Sequence, residues 1–211
     1  MMNIIKKFKN NFTFTDYAKQ LKKDLNIYPH QVFLQYKMVN NRIFSVDQSV
    51  NQLTWIQNAL NDIVIKPKQV FSFWKALEKT NHTLVNQNSY YIYKLYSSII
   101  YHLSLVSGLS IIERHHTDID LLAEHQRIYP LGADALVLYK CKDLKIKNNF
   151  TFPIKLQFEV KNQFLKGYIL STKEIILNEV VFTCRDYKNF KEVLTRINCR
   201  TTEVSVYKKK L

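Results

Sequence analysis

The chain contains 211 residues, a length that fits one domain with or without terminal extensions. Hydrophobic residues make up 46% of it and charged residues 23%, which excludes the class of charged, apolar-poor proteins that stay disordered. The formal net charge is +14, which favours an anionic partner such as an acidic membrane surface or an anionic polymer. Scattered lysine together with frequent Asn, Ile and Tyr is also typical of an AT-rich genome, and this is the favoured explanation of the charge. Nucleic acid is the less favoured partner, because the lysines are spread along the chain and form no long basic run.

The targeting and cysteine patterns show no sign of export. The basic N-terminal residues are not followed by the apolar segment of a signal peptide. The longest apolar stretch, residues 99–112, is interrupted by polar residues and is shorter than the roughly 18 residues of a membrane span. Cys141, Cys184 and Cys199 fit neither a CxxC motif nor a zinc-finger template, so no metal and no cofactor is predicted. The expected location is the cytoplasm or the inner membrane face.

The N-terminal part is predicted to contain helices and a short strand. Thr15 precedes an apolar pattern of helical period. Ser49, with Gln52 three residues later, has the pattern of a capping box and predicts that a second helix starts there. Residues 32–36 predict a strand between the two helices.

A proline turn follows the second predicted helix. Residues 63–65 and 70–74 are apolar and predict two extended segments, with Pro67-Lys68 between them. Lys68 predicts a type I turn, since a type II turn favours glycine at that position.

The central and C-terminal parts change from helical to two-residue periodicity. Residues 94–107 predict a helix that stops at Gly108, a usual position for glycine after a helix. Strands are predicted at residues 109–112, 135–139, 144–147, 154–160 and 164–170. The strict alternation in 154–160 predicts one buried face and one wet face. Helices before strands indicate an α+β fold, with N-terminal helices and one central amphipathic helix packed on a mostly antiparallel β-sheet.

Several short motifs follow one another along residues 67–149. They are Pro67 with Phe71-Ser72-Phe73-Trp74, Tyr101-His102-Leu103, Gly108-Leu109, Glu113-Arg114-His115-His116, Gly132-Ala133-Asp134, and Asp143-Leu144 with Asn148-Asn149. Their order and spacing resemble the VanW-like family, cell-wall proteins associated with glycopeptide-antibiotic resistance. The resemblance divides the chain into an N-terminal helical and extended region (1–62), a VanW-like domain (63–182) and a C-terminal extension (183–211).

The resemblance implies chemistry of the L,D-transpeptidase kind on peptidoglycan stem peptides, with a cysteine nucleophile. In such chemistry a thiolate attacks a peptide carbonyl, a histidine helps to form the thiolate, and backbone N–H groups stabilise the oxyanion. This sequence departs from the family at that point. Lys94 occupies the cysteine position of the family's "GGGLCQ" segment, and the preceding residues, Tyr90-Tyr91-Ile92-Tyr93, are not glycines. The expectation is a degenerate member without the nucleophile.

Five residues remain as vestigial site candidates by the same resemblance: Lys94, Arg114, His115, His116 and Asp134. If the two adjacent histidines lie on a strand, they point to opposite faces, and only one can act as a base in a given cleft. Asp134 either orients a histidine or caps a turn. The other motif residues are expected to be structural: Pro67, Phe71, Phe73, Trp74, Gly108, Gly132 and Asp143.

The sequence gives weaker support to three other sites: a metal site, a cysteine nucleophile and a nucleic-acid-binding surface. His115, His116, Asp118, Asp120 and His125 include metal-ligand types, but they match no metal-binding template. Cys141, between two predicted strands, is expected to be a small residue in a sheet rather than a nucleophile. The tyrosines before Lys94 could stack nucleic-acid bases, but on a loop that enters a helix they are more often packing residues.

The leading hypothesis is therefore a VanW-like protein that lacks transpeptidase activity and binds a peptidoglycan stem peptide, a cell-wall precursor or a protein partner. One alternative is an active enzyme of the same class with a rearranged nucleophile and His115 or His116 as base. Another is a basic adaptor that binds an anionic membrane or nucleic acid.

Overall fold

The computed structural model describes residues 28, 30–38, 47–79, 90–120, 126–161 and 164–210, so the helix predicted after Thr15 lies outside the described residues. The described helices are α1 (Asp47–Leu60), α2 (Phe73–Glu78) and α3 (Tyr90–Ser107). The strands are β1 (His30–Lys37), β2 (Val64–Ile65), β3 (Val70–Ser72), β4 (Ser110–Glu113), β5 (Ile119–Asp120), β6 (Lys145–Lys147), β7 (Ile154–Lys161), β8 (Phe164–Ser171), β9 (Val180–Asp186), β10 (Phe190–Ile197) and β11 (Arg200–Lys209).

The strands form three sheets rather than the single sheet that the sequence predicts. Their orders are β1-β8-β7-β2, β3-β6-β4 and β5-β11-β10-β9. The neighbouring strands pair antiparallel, except that β5 pairs parallel with β11. Mostly antiparallel sheets with a few helices confirm the α+β class.

Helix α3 lies in the middle of the core. Its predicted apolar face is buried, with Leu95, Ile99 and Leu103 at most 2% exposed. The helix lies so close to β8 that a Cβ at Gly167 would be 2.9 Å from Leu103 Cδ1. At its end Gly108 has a φ of +76°, which glycine adopts at little cost. The rest of α3 is also largely buried, so the helix is amphipathic in sequence but mostly enclosed in the fold.

The predicted starts of both described long helices are wrong by a few residues. Helix α1 begins at Asp47, so Ser49 lies inside the helix and is not its N-cap. Helix α3 begins at Tyr90, so Tyr90 to Tyr93 form its first turn rather than an entering loop.

The proline turn and the segment after it also differ from prediction. Lys68 has a φ of +64°, and the Gln69 amide donates to the Lys66 carbonyl at 3.1 Å. A positive φ after proline makes this a type II turn, so the type I prediction is wrong. The extended segment predicted for residues 70–74 ends at Ser72, and Phe73 and Trp74 begin α2.

One predicted strand is absent, and one predicted solvent-exposed face is buried, because tertiary packing overrides the local pattern. Residues 135–137 are buried but form no strand, and Leu138 makes only an isolated bridge to Lys142. In β7 the side expected to be wet is covered, since Lys155 and Gln157 are 5% and 2% exposed. Lys155 Nζ contacts Asp62 Oδ1 at 2.6 Å, so the buried ammonium is paired.

The C-terminal residues form most of the third sheet. Strand β9 spans Val180–Asp186, so the boundary drawn between residues 182 and 183 falls inside this strand. Strands β10 and β11 continue the sheet up to Lys209. No helix in the described part of the chain is long and apolar enough to cross a membrane.

Candidate functional site

Arg114 is the centre of a buried polar cluster between α3 and the third sheet. Its side chain is 2% exposed although the residue follows β4 in a loop. The Nε atom donates to the Asp134 carbonyl at 2.8 Å, and Nη2 donates to the Gly132 carbonyl at 3.0 Å. The guanidinium also lies 4.8 Å from the centre of the Tyr101 ring, a cation–π distance. These contacts hold the fork of Arg114 in one orientation.

Strand β11 supplies the remaining partners of Arg114. Nη1 donates to Glu203 Oε1 and to Ser205 Oγ, both at 2.7 Å. Glu203 in turn accepts a hydrogen bond from the Tyr101 hydroxyl at 2.7 Å, which ties β11 to α3. Neither Glu203 nor Ser205 was predicted from the sequence, because both lie about 90 residues further along the chain and no motif marks them.

Asp134 is the buried carboxylate of the cluster, and its side chain is 3% exposed. Oδ2 accepts from the Thr117 amide and the Thr117 hydroxyl, both at 2.9 Å. Oδ1 accepts from Tyr207 at 2.5 Å and from Arg114 Nη2 at 3.2 Å. Four donors therefore occupy a group with about four acceptor positions.

The charges of the cluster shift its pKa values in consistent directions. Burial by itself raises the pKa of Asp134, but Arg114 and Lys94 outweigh it and keep the pKa below its ordinary value. Burial and the neighbouring Asp134 raise the pKa of Tyr207 above its ordinary value. The cluster at neutral pH is thus an ionised carboxylate and a guanidinium with neutral tyrosines as donors.

Lys94 stands at the edge of this cluster, in the second turn of α3. Its Nζ lies 3.8 Å from Asp134 Oδ2, and its side chain is 17% exposed. The same Nζ lies 5.9 Å from the centre of the Tyr129 ring. Burial lowers the pKa of Lys94 and Arg114 lowers it further, whereas Asp134 acts in the opposite direction. The position expected for a cysteine by family resemblance therefore holds a mostly buried amine beside a carboxylate.

Lys94 lies on a polar side of α3 that faces the loop containing Asp134. Tyr90, Lys94 and Ser98 are spaced by four residues and share one side of the helix. Ser98 Oγ accepts from the Ala135 amide at 3.0 Å, and the adjacent Ser97 donates to the Ala135 carbonyl at 2.6 Å. These bonds fix the loop against the helix and explain why residues 135–137 are buried without a sheet partner.

The two histidines do not lie on a strand, since β4 ends at Glu113. His115 Nε2 lies 3.0 Å from Glu113 Oε1. His116 Nδ1 lies 2.8 Å from the Thr117 carbonyl, and its ring packs on Tyr207 at 4.9 Å between centres. The strand on which the expected alternation of faces depends is therefore absent at these two residues. Each histidine has its own local partner.

Glu113 organises a second, more exposed group that sequence reasoning missed. It contacts Lys145 Nζ at 2.6 Å and accepts from the Asp143 amide at 3.0 Å. The hydrogen bond from Lys145 lowers the pKa of Glu113 to about 2, and His115 contributes in the same direction. The directly paired register of Glu113 and Lys145 across β4 and β6 produces this contact.

The motif residues around α2 have structural roles. Asp143 Oδ2 accepts from the Ser72 hydroxyl at 2.6 Å, and its Oδ1 accepts from the Trp74 amide at 3.2 Å. Ser72 in turn caps α2 by accepting from the Lys75 amide at 3.2 Å. The remaining apolar motif residues, Phe71 and Phe73, are at most 5% exposed in the core.

Gly132 has both a conformational and a packing reason to be glycine. Its φ is +96°, and a Cβ there would lie 2.6 Å from Val193 Cγ1 on β10. This close approach brings the loop against the third sheet and places the Gly132 carbonyl on Arg114. Pro67, by contrast, initiates the exposed turn between β2 and β3.

The three cysteines take no part in the polar clusters around Arg114 and Glu113. Cys141, Cys184 and Cys199 are free and exposed, so the expectation that Cys141 fills a sheet is wrong. It lies in the turn between Leu138 and Lys142. Among the described residues no hydrogen bond joins a cysteine to a histidine, and no group of three or more histidine, cysteine or acidic residues could hold a metal ion. His125, one proposed ligand, lies outside the described residues.

Comparison with known proteins adds one finding. Residues 95–170 match the family model described as "VanW like protein". No curated protein and no solved structure matches the chain. The matched region contains Arg114, Gly132, Asp134 and Asp143, and it starts directly after Lys94. Over residues 95–170, less than half of its length, the chain is therefore similar to the VanW-like family.

Proposed function

We propose that this chain is a VanW-like protein without transpeptidase activity, which binds a peptidoglycan stem peptide. A protein partner at the same surface is the alternative occupant. One observation carries the proposal: Lys94 Nζ stands 3.8 Å from Asp134 at the position where the family resemblance requires a thiol. An ammonium that neighbours a carboxylate cannot perform acyl transfer as a thiolate does.

The surroundings of Lys94 support the same reading. The family's glycine cradle is replaced by Tyr90 to Tyr93, which form regular helix, with Ile92 and Tyr93 buried. Trp74 and Tyr93 are in edge contact at 5.1 Å between ring centres. Without glycine, the backbone of this turn keeps the right-handed helical conformation and does not form the kind of glycine loop that can approach a substrate closely.

The decisive experiment is an exchange assay with purified protein, a synthetic stem peptide and an acceptor peptide, read by mass spectrometry. We expect no cross-linked or exchanged product and no covalent adduct on Cys141, Cys184 or Cys199. The triple serine variant at these positions is the control and should behave identically. A thiol-sensitive product that disappears in the triple serine variant would overturn the proposal.

The Lys94→Cys variant refines the same assay. It restores a thiol at the expected position but not the glycine cradle, so we expect it to remain inactive. Turnover by this variant would mean that the site retains its catalytic geometry. In parallel, titration of the unmodified protein with the stem peptide by NMR should show saturable binding without turnover.

A second candidate function, attachment to an anionic membrane surface, is favoured by the net charge of +14. Electrostatic attachment predicts co-sedimentation with phosphatidylserine vesicles that weakens steeply when salt rises from about 50 to 200 mM, because screening shortens the reach of each lysine. Vesicles of phosphatidylcholine alone are the control. Binding that does not depend on salt or on anionic lipid would remove this candidate.

A further inference from the structure

The Lys94 ammonium is a donor group that lacks an acceptor in the folded chain. Asp134 Oδ2 is its nearest carboxylate oxygen, and 3.8 Å is too long for a hydrogen bond. Both oxygens of Asp134 are already used by Thr117, Tyr207 and Arg114 at 2.5 to 3.2 Å. Among the residues that the structure describes, Lys94 Nζ donates no hydrogen bond. Three N–H donors are therefore held in a mostly buried position with a long ion pair to Asp134 but no hydrogen-bond acceptor among the described residues.

The surroundings disfavour this charge and would favour an arriving anion. Burial and the guanidinium of Arg114 both act against the ammonium, and Arg127 adds to them. Of the neighbouring carboxylates, Asp120 is already paired, with contacts to Arg127 at 2.5 Å and to Lys191 at 2.9 Å. Asp118 is exposed, where water screens its charge. Burial is therefore the largest influence on Lys94, and it lowers the pKa despite the nearby carboxylates.

Aromatic side chains enclose the same position. Tyr129 lies under the ammonium at 5.9 Å, and Tyr90 is one helical turn away on the same side of α3. Rings beside a charged donor exclude water and strengthen a charge-assisted hydrogen bond. An uncharged ligand would gain little here, since an ammonium offers donors only and no acceptor.

We propose that Lys94 is the recognition group for an anionic oxygen of the ligand, a carboxylate, so that the lysine converts the family's nucleophile position into a carboxylate-binding site. Within the proposed function, on which this inference rests, the carboxylate is the free C-terminal one of a peptidoglycan stem peptide. Inorganic phosphate shares the same chemistry and serves as a separate arm of the test.

The experiment follows the Lys94 ammonium by NMR in lysine-labelled full-length protein at constant ionic strength. Four probes are used: sodium acetate, inorganic phosphate, a stem peptide with a free C-terminal carboxylate, and its C-terminal amide. We expect the acid peptide to shift the Lys94 signals at saturation and the amide to bind about tenfold more weakly, the loss of roughly one charge-assisted hydrogen bond. Lys94→Met should remove that tenfold difference.

Lys166→Met is the matched control, because Lys166 also has a long ion pair, 3.7 Å from Glu159, with a side chain that is 29% exposed. It should leave all four titrations unchanged. Circular dichroism and thermal melting verify that both variants fold. Lys166→Met should keep the tenfold preference for the acid peptide that Lys94→Met loses. If the acid and amide peptides bind equally well to Lys166→Met as well as to Lys94→Met, the carboxylate site is overturned, while stem-peptide binding stands.

Acetate and phosphate test whether the anion site exists even if the stem peptide is not its ligand. Saturable shifts at Lys94 with acetate or phosphate, but none with the peptides, would support the anion site and overturn the stem peptide as its ligand. If no probe moves the Lys94 signals, the inference is overturned.

Discussion

At the scale of single residues, the cluster around Arg114 shows why the VanW-like motif residues occur together. The guanidinium contacts the Gly132 and Asp134 carbonyls, the Asp134 carboxylate and Glu203 at 2.7 to 3.2 Å. Each motif residue therefore satisfies a polar group of another that would otherwise be buried alone. A buried charge of this kind tolerates the loss of one partner poorly.

The first prediction concerns the shape of the Arg114 side chain. Arg114→Lys keeps the charge but loses the planar fork, so several buried acceptors lose their donors. We expect the free energy of unfolding to fall by about 3 kcal/mol, measured by urea denaturation. Arg185→Lys is the matched control, since Arg185 also pairs with a carboxylate, Glu192 at 3.2 Å, but is 55% exposed. That change should stay within about 0.5 kcal/mol. Equal effects of both changes would contradict a role for the buried fork.

The second prediction compares two glycines with positive φ. Gly132→Ala must adopt a left-handed backbone and also place Cβ 2.6 Å from Val193 Cγ1, so we expect a loss of about 3 kcal/mol in thermal or urea unfolding. Gly108→Ala has the backbone cost alone, because its Cβ would meet only Asn178 Nδ2 at 3.5 Å. Its loss should be about 1 kcal/mol. If the two variants lose the same stability, the close packing at β10 is not limiting.

At the scale of elements, α2 shows how a short helix depends on its cap. The helix has six residues, too few to be stable alone. Ser72 and Asp143 close its N-terminus, and the Trp74 indole donates to the Lys142 carbonyl at 2.8 Å. The helix is thus held by the segment that leads into β6.

The third prediction tests this cap. Asp143→Ala removes the acceptor of the Ser72 hydroxyl and the Trp74 amide, so stability should fall by about 1 to 2 kcal/mol. The near-ultraviolet circular dichroism of the Trp74 environment should weaken with it. Asp186→Ala is the control, because Asp186 makes an exposed ion pair with Lys209 and should contribute little. An unchanged melting temperature in Asp143→Ala would rule out the cap.

At the scale of the whole molecule, the third sheet is joined to the rest through side chains from several elements. His102 of α3 lies at this junction, with its Nδ1 2.8 Å from the Tyr36 hydroxyl on β1 and its ring 5.3 Å from that of Phe182 on β9. Burial lowers the pKa of His102 to about 4. The neutral imidazole is therefore the form that the packed molecule accepts.

The fourth prediction follows from this pKa. The unfolded chain protonates His102 near its ordinary pKa of about 6.5, whereas the folded chain does so only near 4. Because the unfolded state binds the proton first, stability should fall as pH drops from about 6.5 to about 4, by about 3 kcal/mol. Urea unfolding at several pH values measures this slope. His102→Gln should flatten the slope in that window, and an unchanged slope in this variant would contradict the assignment to His102.

The sequence by itself determined the α+β class, the hairpin of β7 and β8, the end of α3 at Gly108 and the order of the family motifs. These features depend on local periodicity, glycine conformation and residue spacing, which can be read from residues close together in the sequence. The sequence also predicted Arg114, Asp134 and Lys94 as residues of the candidate site.

Only the tertiary structure decided how these residues meet. Glu203, Ser205 and Tyr207 join the cluster because β11 packs beside α3, and no local pattern encodes a contact across about 90 residues. The positive φ of Lys68, the helical Phe73 and Trp74, and the covered polar side of β7 arise in the same way. In each case burial and long-range hydrogen bonds outweigh a local preference of about 1 kcal/mol.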